Sequence, residues 1–295
     1  WEVSGVIALN KMFFVAAAFN QDLSTWDTSA ATSFFSMFNG ATAFNQPISL
    51  WDVSSVSTFT NMFNNAASFN QPIGLWNVTL GTDFTEMFAG ATAFNNNIRI
   101  WNVANTDTLT GMFDGTTAMN TLFTGVTGFD NTATGPTDAF FNQEYLTINY
   151  SDVPNAQEID FALTFQTGPT SGQDVLFWKT RAAGTTNATS VAQVDVAASD
   201  NTYTHSQGSN QDIELVVSVQ ASATSVANAG NSTGTSGHEY LISVAASNDA
   251  SAATTWGLKG VTSMSNMFYN CNNAAFTTGI PAYIPSGIVS MEQMF

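Results

Sequence analysis

WDVSSVSTFTNMFNNAASFNQPIGL, residues 51–75, is one of five successive copies of a 25-residue unit in this chain of 295 residues. A tryptophan, a Met-Phe pair and an asparagine each recur every 25 residues. The recurring residues are Trp1, Trp26, Trp51, Trp76 and Trp101; Met12, Met37, Met62, Met87 and Met112; and Asn20, Asn45, Asn70, Asn95 and Asn120. A fixed period between about 20 and 50 residues is typical of solenoid proteins, in which each repeat buries its apolar face against its neighbours. The pattern therefore predicts a solenoid of 25-residue coils.

Each copy combines two periodicities. Trp51 and Val53 alternate with polar residues, which is typical of a short strand. From Val56 to Ala66 the apolar residues are spaced by three and four, which favours one or two helical turns. We expect each coil to contain a short parallel strand, near Ile73 to Val78 in this copy, followed by a helical arc and a return.

Two columns of residues are predicted to hold the stack together. Asn20, Asn45, Asn70 and Asn95 are expected to form an inward-facing hydrogen-bonded ladder, since buried backbone groups at a bend need partners. The alternative is a row of amides that bind a ligand. Trp26, Trp51, Trp76 and Trp101 are expected to form a second column in the core, with a glycan-stacking stripe as the alternative.

The stretch MFNGATAFNQPISLWDVSSVSTFTNMF, residues 37–63, resembles the bacterial surface protein repeat of about 26 residues. The resemblance rests on Met-Phe, Ala-x-Ala-Phe-Asn-Gln, Ile-x-x-Trp-Asp-Val-Ser and the following Val. That family, formerly a domain of unknown function, is related to the BspA-like leucine-rich repeats. The resemblance implies leucine-rich-repeat-like coils and a surface or secreted protein of bacteria, protists or large viruses. It implies no catalytic residues.

The repeat pattern fails after Asn120, and a different pattern follows. Seven segments alternate apolar and polar residues or are rich in β-branched residues, with turn-forming residues between them, as in an antiparallel β-sandwich. At Trp256 the repeat resumes, because Val261, Met267 and Phe268 reproduce the offsets of the earlier copies. The chain is thus predicted to be mainly β, a solenoid interrupted by a β-sandwich. The predicted domains are solenoid repeats at 1–125, a degenerate coil or linker at 126–141, an inserted β-sandwich at 142–255, and a resumed, incomplete repeat at 256–295. The predicted strands are 145–150, 158–167, 174–180, 191–197, 201–205, 212–220 and 239–246.

Composition narrows the range of partners. The formal net charge is −17 with five basic residues, so the field of the chain repels phosphate backbones and excludes nucleic acid as an expected partner. An acidic surface attracts divalent cations; calcium is the expected ion, although no EF-hand pattern gives it a place. The single Cys271 provides no internal disulfide. No apolar run reaches the length of a membrane span. The sequence begins at the tryptophan of one copy and stops in the middle of another, so we expect it to be a piece of a longer protein or to have its ends covered by neighbours.

Few residues suggest chemistry. His205 and His238 have no metal-ligand partner at a usable spacing. Residues 230–234 match Gly-x-Ser-x-Gly, but they lie in a polar segment with no room for an acid before His238, which favours a turn over a nucleophile elbow. Trp178, with Lys179 and Arg181 close by, is the only aromatic residue beside clustered positive charge. The pattern favours a core aromatic residue next to a solvated edge, and the alternative is that these three residues contact a ligand.

The sequence predicts a non-enzymatic extracellular protein, structural or adhesive, whose coils form a stalk or filament that displays the β-sandwich. The expected partners are neighbouring copies or other surface proteins. Two alternatives stay open: a virion fibre or decoration protein, and a module that binds glycans or surface proteins.

Overall fold

The computed structural model describes most of the first half of the chain and the strands of the second half. The described residues are 1–103, 108–141, 143, 145–154, 158–160, 162–165, 173, 175–183, 188–195, 202–204, 209–218, 223–227 and 241–246. The predicted return of the repeat at Trp256, the two histidines, the Gly-x-Ser-x-Gly match and Cys271 lie outside them. The chain divides into two compact units, Trp1–Gln143 and Glu144–Phe295. The described structure is mainly β with little helix.

Unit 1 is built from repeats that are hydrogen-bonded to one another in a constant register. We number the repeats 1 to 5 (residues 1–25, 26–50, 51–75, 76–100 and 101–125) and count positions within each from its tryptophan. The backbone N–H of Phe63, at position 13 of repeat 3, donates to the carbonyl of Met87 in repeat 4 at 2.8 Å. The N–H groups at positions 9, 11, 13 and 15 donate across all four interfaces, each to the carbonyl 24 residues further along. Each repeat therefore satisfies the backbone of its neighbour.

The segment between positions 9 and 16 is a series of tight turns, so the expected helical arc is wrong. Position 12 donates back three residues, as Met62 does to Phe59 at 3.0 Å, while positions 11 and 13 bond across to the next repeat. Positions 11 and 15 have positive φ. They are occupied by Lys11, Ser36, Asn61, Glu86 and Gly111, and by Val15, Gly40, Asn65, Gly90 and Gly115. A left-handed residue every fourth position prevents α-helix but keeps the apolar side chains on one side.

The parallel pairing also lies elsewhere than expected. The sequence placed a strand near Ile73 to Val78, but these residues form no strand. Instead, position 8 of each repeat forms an isolated parallel bridge to position 8 of the next, as Thr58 does to Asp83. The strand prediction was wrong because the alternation of Trp76 and Val78 with polar residues buries their side chains in the core, while their backbone forms no strand ladder.

The far end of unit 1 is closed by the last residues of repeat 5 and the residues that follow them. They form helix α1 (Thr117–Phe123) and a 3-10 helix (Asp138–Phe140). The ring of Phe113 in repeat 5 lies 5.7 Å from the ring of Phe129 and 5.7 Å from that of Phe140. Residues 126–141, expected to be a degenerate coil or linker, thus belong to unit 1 and pack against repeat 5.

Unit 2 contains nine strands in its described residues. They are β1 (Leu146–Val153), β2 (Glu158–Asp160), β3 (Ala162–Phe165), β4 (Val175–Ala182), β5 (Ala188–Asp195), β6 (Thr202–Thr204), β7 (Gln211–Ser218), β8 (Ala223–Ala227) and β9 (Leu241–Ala246). Five of them form an antiparallel sheet in the order β5-β4-β7-β1-β9. The pairs β2-β6 and β3-β8 form two further ladders.

The seven predicted strand segments all contain observed strands, and the segment 158–167 contains two. Strand β8 was missed because its Ala-Thr-Ser-Val-Ala sequence has only one large apolar residue. The antiparallel pairing of the main sheet agrees with the expectation from alternation. The two-layer packing of a sandwich stays a prediction.

Candidate interaction surfaces

The asparagines at position 20 form a continuous chain of hydrogen bonds. The side-chain oxygen of Asn20 accepts the backbone N–H of Asn45 at 2.9 Å, Asn45 does the same for Asn70 at 2.9 Å, and Asn70 for Asn95 at 3.1 Å. These side chains lie at the surface, not facing inwards as expected, and three of the four are exposed. The amide therefore satisfies a backbone N–H at the outer bend of each repeat. Each of these amide oxygens already accepts a hydrogen bond from the next repeat, which disfavours the alternative that the row of amides binds a ligand.

The tryptophans at position 1 form an inner column. The indole N–H of Trp51 donates to the carbonyl of Leu23 at 3.0 Å, and Trp76 and Trp101 repeat this bond at 3.2 and 3.1 Å. Trp26, Trp51, Trp76 and Trp101 are all 9% exposed or less. The rings of Trp26 and Trp51 are stacked with centroids 6.1 Å apart. A glycan has no access to these rings, so the stacking surface is internal.

Phenylalanines at positions 13 and 19 form two more columns beside the tryptophans. Within a repeat the two rings stack closely, as in Phe63 and Phe69 with centroids 3.8 Å apart. Between repeats the spacing is longer, for example 5.7 Å from Phe38 to Phe63. Stacked and offset ring pairs add to the free energy of burial. The core of unit 1 is therefore a set of aromatic columns that continue through the repeats.

The three candidate ligand contacts in unit 2 do not form one site. Trp178 is 2% exposed, and neighbouring residues of a strand point to opposite faces of the sheet. Lys179 and Arg181 therefore lie on the face opposite the indole. Each of them faces a carboxylate on β7: Lys179 lies 3.7 Å from Glu214, and Arg181 lies 3.6 Å from Asp212. The aromatic platform and the positive charges are thus not available to the same ligand.

The charged face of this sheet is held by its own contacts. A carboxylate oxygen of Asp212 also accepts the backbone N–H of Asp152 at 3.0 Å, where β1 has a bulge. Burial, and secondarily the negative charge of Glu214, raise the pKa of Tyr145 above its usual value. Asp212 and Glu214 lie two residues apart on β7 and share a face of the sheet, where their charges are paired with Arg181 and Lys179.

The side of repeat 1 that points away from repeat 2 has no preceding repeat in the sequence, and its apolar residues are more exposed than their counterparts in later repeats. We call it the N-terminal face and define it by Trp1, Val6, Met12, Phe13 and Phe19. Trp1 is 85% exposed, whereas the other position-1 tryptophans are buried. Met12 is 37% exposed, whereas the methionines at position 12 of repeats 2 to 5 are 0% exposed. Two cavities of about 240 and 450 Å³ open on this face, both bordered by Trp1.

The backbone carbonyls of the N-terminal face correspond to those that join the later repeats. Carbonyls at positions 8, 10, 12 and 14 of repeats 2 to 5 each accept an N–H from the preceding repeat. In repeat 1 the same four carbonyls belong to Ala8, Asn10, Met12 and Phe14, and none accepts a hydrogen bond within the described part of the chain. The face therefore offers a row of acceptors in the register that later repeats use.

Two further observations concern the described residues only. No group of three or more His, Cys, Asp or Glu side chains is placed to hold a metal ion there. None of the helices there has the length and hydropathy needed to span a bilayer.

One protein-family model matches the chain, and its description is "Mycoplasma protein of unknown function, DUF285". The matches cover residues 1–57, 48–152, 82–203 and 239–295. Successive overlapping matches are expected of a repeated unit, and the last one includes the segment in which the sequence pattern resumes. No curated protein and no solved structure matches the chain significantly.

Proposed function

We propose that this chain, which belongs to the DUF285 repeat family, is a non-enzymatic structural or adhesion protein of a cell or virion surface. In this proposal the repeats are coils of a solenoid related to the BspA-like leucine-rich repeats. They form a stalk or filament, and unit 2 is a β-sandwich displayed on it.

The proposal rests on the observation that the four repeat interfaces are built in the same way. Each uses the same four backbone hydrogen bonds, and the aromatic columns run through them. The groups in a repeat with the greatest binding capacity, the indoles and the position-20 amides, are engaged by other repeats: the indole of Trp51 donates to the carbonyl of Leu23 in repeat 1, and the amide oxygen of Asn45 accepts from Asn70 in repeat 3. A stack of this kind transmits load along its axis and leaves little of its repeated chemistry for a substrate.

The glycan-binding alternative draws no support from the repeats or from Trp178. The tryptophan columns are buried, and Trp178 is on the opposite face of its sheet from Lys179 and Arg181. A structural role is therefore the better account of the described residues.

Mechanical unfolding of the full chain tests the structural role. Held by its two ends, unit 1 should resist extension and then release its repeats in steps of about 25 residues or multiples of them. One repeat corresponds to roughly 80–90 Å of extended chain. The matched variants are Trp51→Ala, which removes a buried column residue, and Leu80→Ala, which shortens a side chain that is 58% exposed.

Loss of resistance in Trp51→Ala but not in Leu80→Ala is the expected result. Extension of the unmodified unit 1 without any resisting step would refute a load-bearing role. A glycan array probed with the same full chain separates the alternative: specific binding that is lost in Lys179→Ala would favour a binding module.

A further inference from the structure

The main sheet of unit 2 ends in a strand that can accept a further strand. Strand β5 is the first in the order β5-β4-β7-β1-β9, and among the described strands it pairs with β4 alone. In a strand at the end of a sheet, alternate residues direct their N–H and C=O groups outward, where another chain can pair with them. The outer edge of β5 is therefore a hydrogen-bonding edge that no described strand uses.

The sequence of β5 has few of the features that prevent end strands from pairing with other chains. Such strands are commonly very short, or have lysine, proline or inward-pointing charges. β5 has eight residues, Ala-Thr-Ser-Val-Ala-Gln-Val-Asp, with no proline, no cation and one carboxylate at the last position. A bulge at Thr189 bends the beginning of the strand, so the regular part is 190–195. This part also contains Val194, whose side chain is 42% exposed.

The strand beside β5 does not make this edge strongly charged. The cations of β4, Lys179 and Arg181, lie 3.7 and 3.6 Å from carboxylates of β7, on the side away from β5. Charge at the edge therefore selects no particular partner, and the fit of side chains across the new ladder decides which strand can pair with it.

The regular part of β5 is complementary to itself in antiparallel pairing. With Ala192 opposite Ala192 of a second copy, Ser190 lies opposite Val194, and Val191 lies opposite Gln193. Residues directly opposite each other share a face of the sheet. No pair in this register opposes two charges, and the exposed Val194 gains a neighbour on the second copy.

The position of the carboxylate favours the antiparallel direction. In the register centred on Ala192, the two Asp195 residues are separated by six residues along the ladder, roughly 20 Å. Parallel pairing in register would place them side by side, where like charges destabilise a strand pair.

We propose that β5 pairs with β5 of a second copy across a two-fold axis at Ala192, which joins two five-stranded sheets edge to edge. The contact is isologous, because both copies use the same edge, and it therefore closes at a dimer. The inference goes beyond the proposed structural role and does not rest on it, since it concerns unit 2 alone. In a structural protein, such a contact would cross-link the stalks in pairs.

A charge swap at the two-fold axis tests the contact on the full chain. Ala192 is exposed, so the folded monomer accommodates Ala192→Lys and Ala192→Glu. Each variant alone places two like charges opposite each other at the axis, whereas a mixture places lysine opposite glutamate. The matched controls are Ala18→Lys and Ala18→Glu, which change the net charge equally at an exposed alanine of unit 1.

Sedimentation at protein concentrations up to about 1 mM is the measurement. The unmodified chain and the Ala18 variants should form a dimer of twice 31.4 kDa and nothing larger. Each Ala192 variant alone should associate on the order of 10-fold more weakly, and the mixture should restore the dimer. The proposal is overturned by a monomeric unmodified chain, by species larger than a dimer, by Ala192 variants that associate like the controls, or by a mixture that associates no better than its components.

Disulfide formation gives an independent test of the register. Cys271 is the only cysteine, so the background is Cys271→Ser. Ala192→Cys should form a linked dimer on mild oxidation, because directly opposite residues have Cβ atoms about 4.5–5.5 Å apart. Val194→Cys should not link to itself, since its two copies are four residues apart along the ladder, but it should link to Ser190→Cys in a mixture. Ala192→Cys that stays monomeric, or Val194→Cys that links to itself, would contradict the two-fold axis at Ala192.

Discussion

Replacement of Trp51 by alanine measures how much the inner column stabilises unit 1. Its indole is 3% exposed, and its centroid lies 6.1 Å from that of Trp26. The rings of Phe34 and Phe38, also in repeat 2, are 5.7 and 6.2 Å away. Truncating a buried aromatic side chain destabilises by about 3–5 kcal/mol, since the neighbours close the cavity only in part. The carbonyl of Leu23 also loses its buried donor.

Two matched variants separate the contributions to that loss. Trp51→Phe keeps most of the ring contact but removes the indole N–H, so we expect a loss of about 1–3 kcal/mol from the unpaired carbonyl. Trp1→Ala removes the same side chain where it is 85% exposed, and we expect about 0.5–1 kcal/mol. The expected order is therefore Trp51→Ala, then Trp51→Phe, then Trp1→Ala.

Native-state hydrogen exchange is the assay, because it reports on unit 1 without requiring the whole chain to unfold in one step. The probes are the amides of Phe38 and Phe63, which bond from one repeat to the next. A loss of 3–5 kcal/mol speeds exchange by roughly two to three and a half orders of magnitude. Equal exchange rates in Trp51→Ala and Trp1→Ala, measured at a concentration where the chain is monomeric, would refute the buried column.

Three other changes follow from local geometry. Val15→Gly should stabilise by about 1 kcal/mol in denaturant unfolding, because a β-branched residue that is 61% exposed has a φ of 57° there; no gain would mean that this conformation is unstrained. Asn45→Ala should destabilise by about 0.5–1.5 kcal/mol by removing the acceptor for Asn70, whereas Asn45→Asp keeps an acceptor, and equal melting temperatures would contradict this. Burial raises the pKa of Asp83, but hydrogen bonds from the Thr85 hydroxyl and amide, and from a second threonine hydroxyl, outweigh it and lower the pKa. A pKa lowered on folding gives stability that is present above about pH 4 and lost as the pH falls through the folded pKa, so Asp83→Asn should flatten the acid side of the stability curve.

The period of the sequence was enough to predict which residues stack. Trp51, Met62, Phe63 and Phe69 recur every 25 residues and are buried between repeats, because only positions covered by both neighbours must stay apolar in every copy. The same period predicted that the asparagines at position 20 form a hydrogen-bonded ladder between repeats, because a polar residue is kept there in every copy. It did not give the side on which the amide lies, since a ladder at an outer bend and one at an inner bend have the same period.

The backbone of the repeat was not predictable from apolar spacing alone. Spacings of three and four residues fit an α-helix, and they fit equally well a series of turns with a left-handed residue every fourth position. The residues between the apolar positions indicate which of the two structures forms. Asn61 and Asn65 in repeat 3, and Gly40 and Gly90 in its neighbours, occupy positive-φ positions. Lys11 and Glu86 at position 11 obscure that signal, because these residues rarely adopt such a conformation.

The candidate ligand site failed for a different reason. Proximity in sequence placed Trp178 beside Lys179, and within a strand this means opposite faces of the sheet. The partners of Lys179 and Arg181 come from β7, more than thirty residues later, and the register that opposes them to Glu214 and Asp212 depends on long-range pairing. Alternation in β4 alone indicates that the indole and the cations separate. It does not indicate which residues the indole and the cations contact.

The strictness of the 25-residue period follows from the number of contacts that depend on it. Backbone bonds join residues 24 apart, the asparagine bonds join residues 25 apart, and the indole bonds join residues 28 apart. A one-residue insertion between Trp51 and Asn70 would displace the partners of all three sets at once, and it would rotate alternate side chains out of the core. The surface between these contacts has no such constraint, which is why position 2 accepts Asp52 in one repeat and Asn77 in the next. The period is therefore fixed by the ladders acting together, and the composition of the exposed residues is left free to set the charge of the surface.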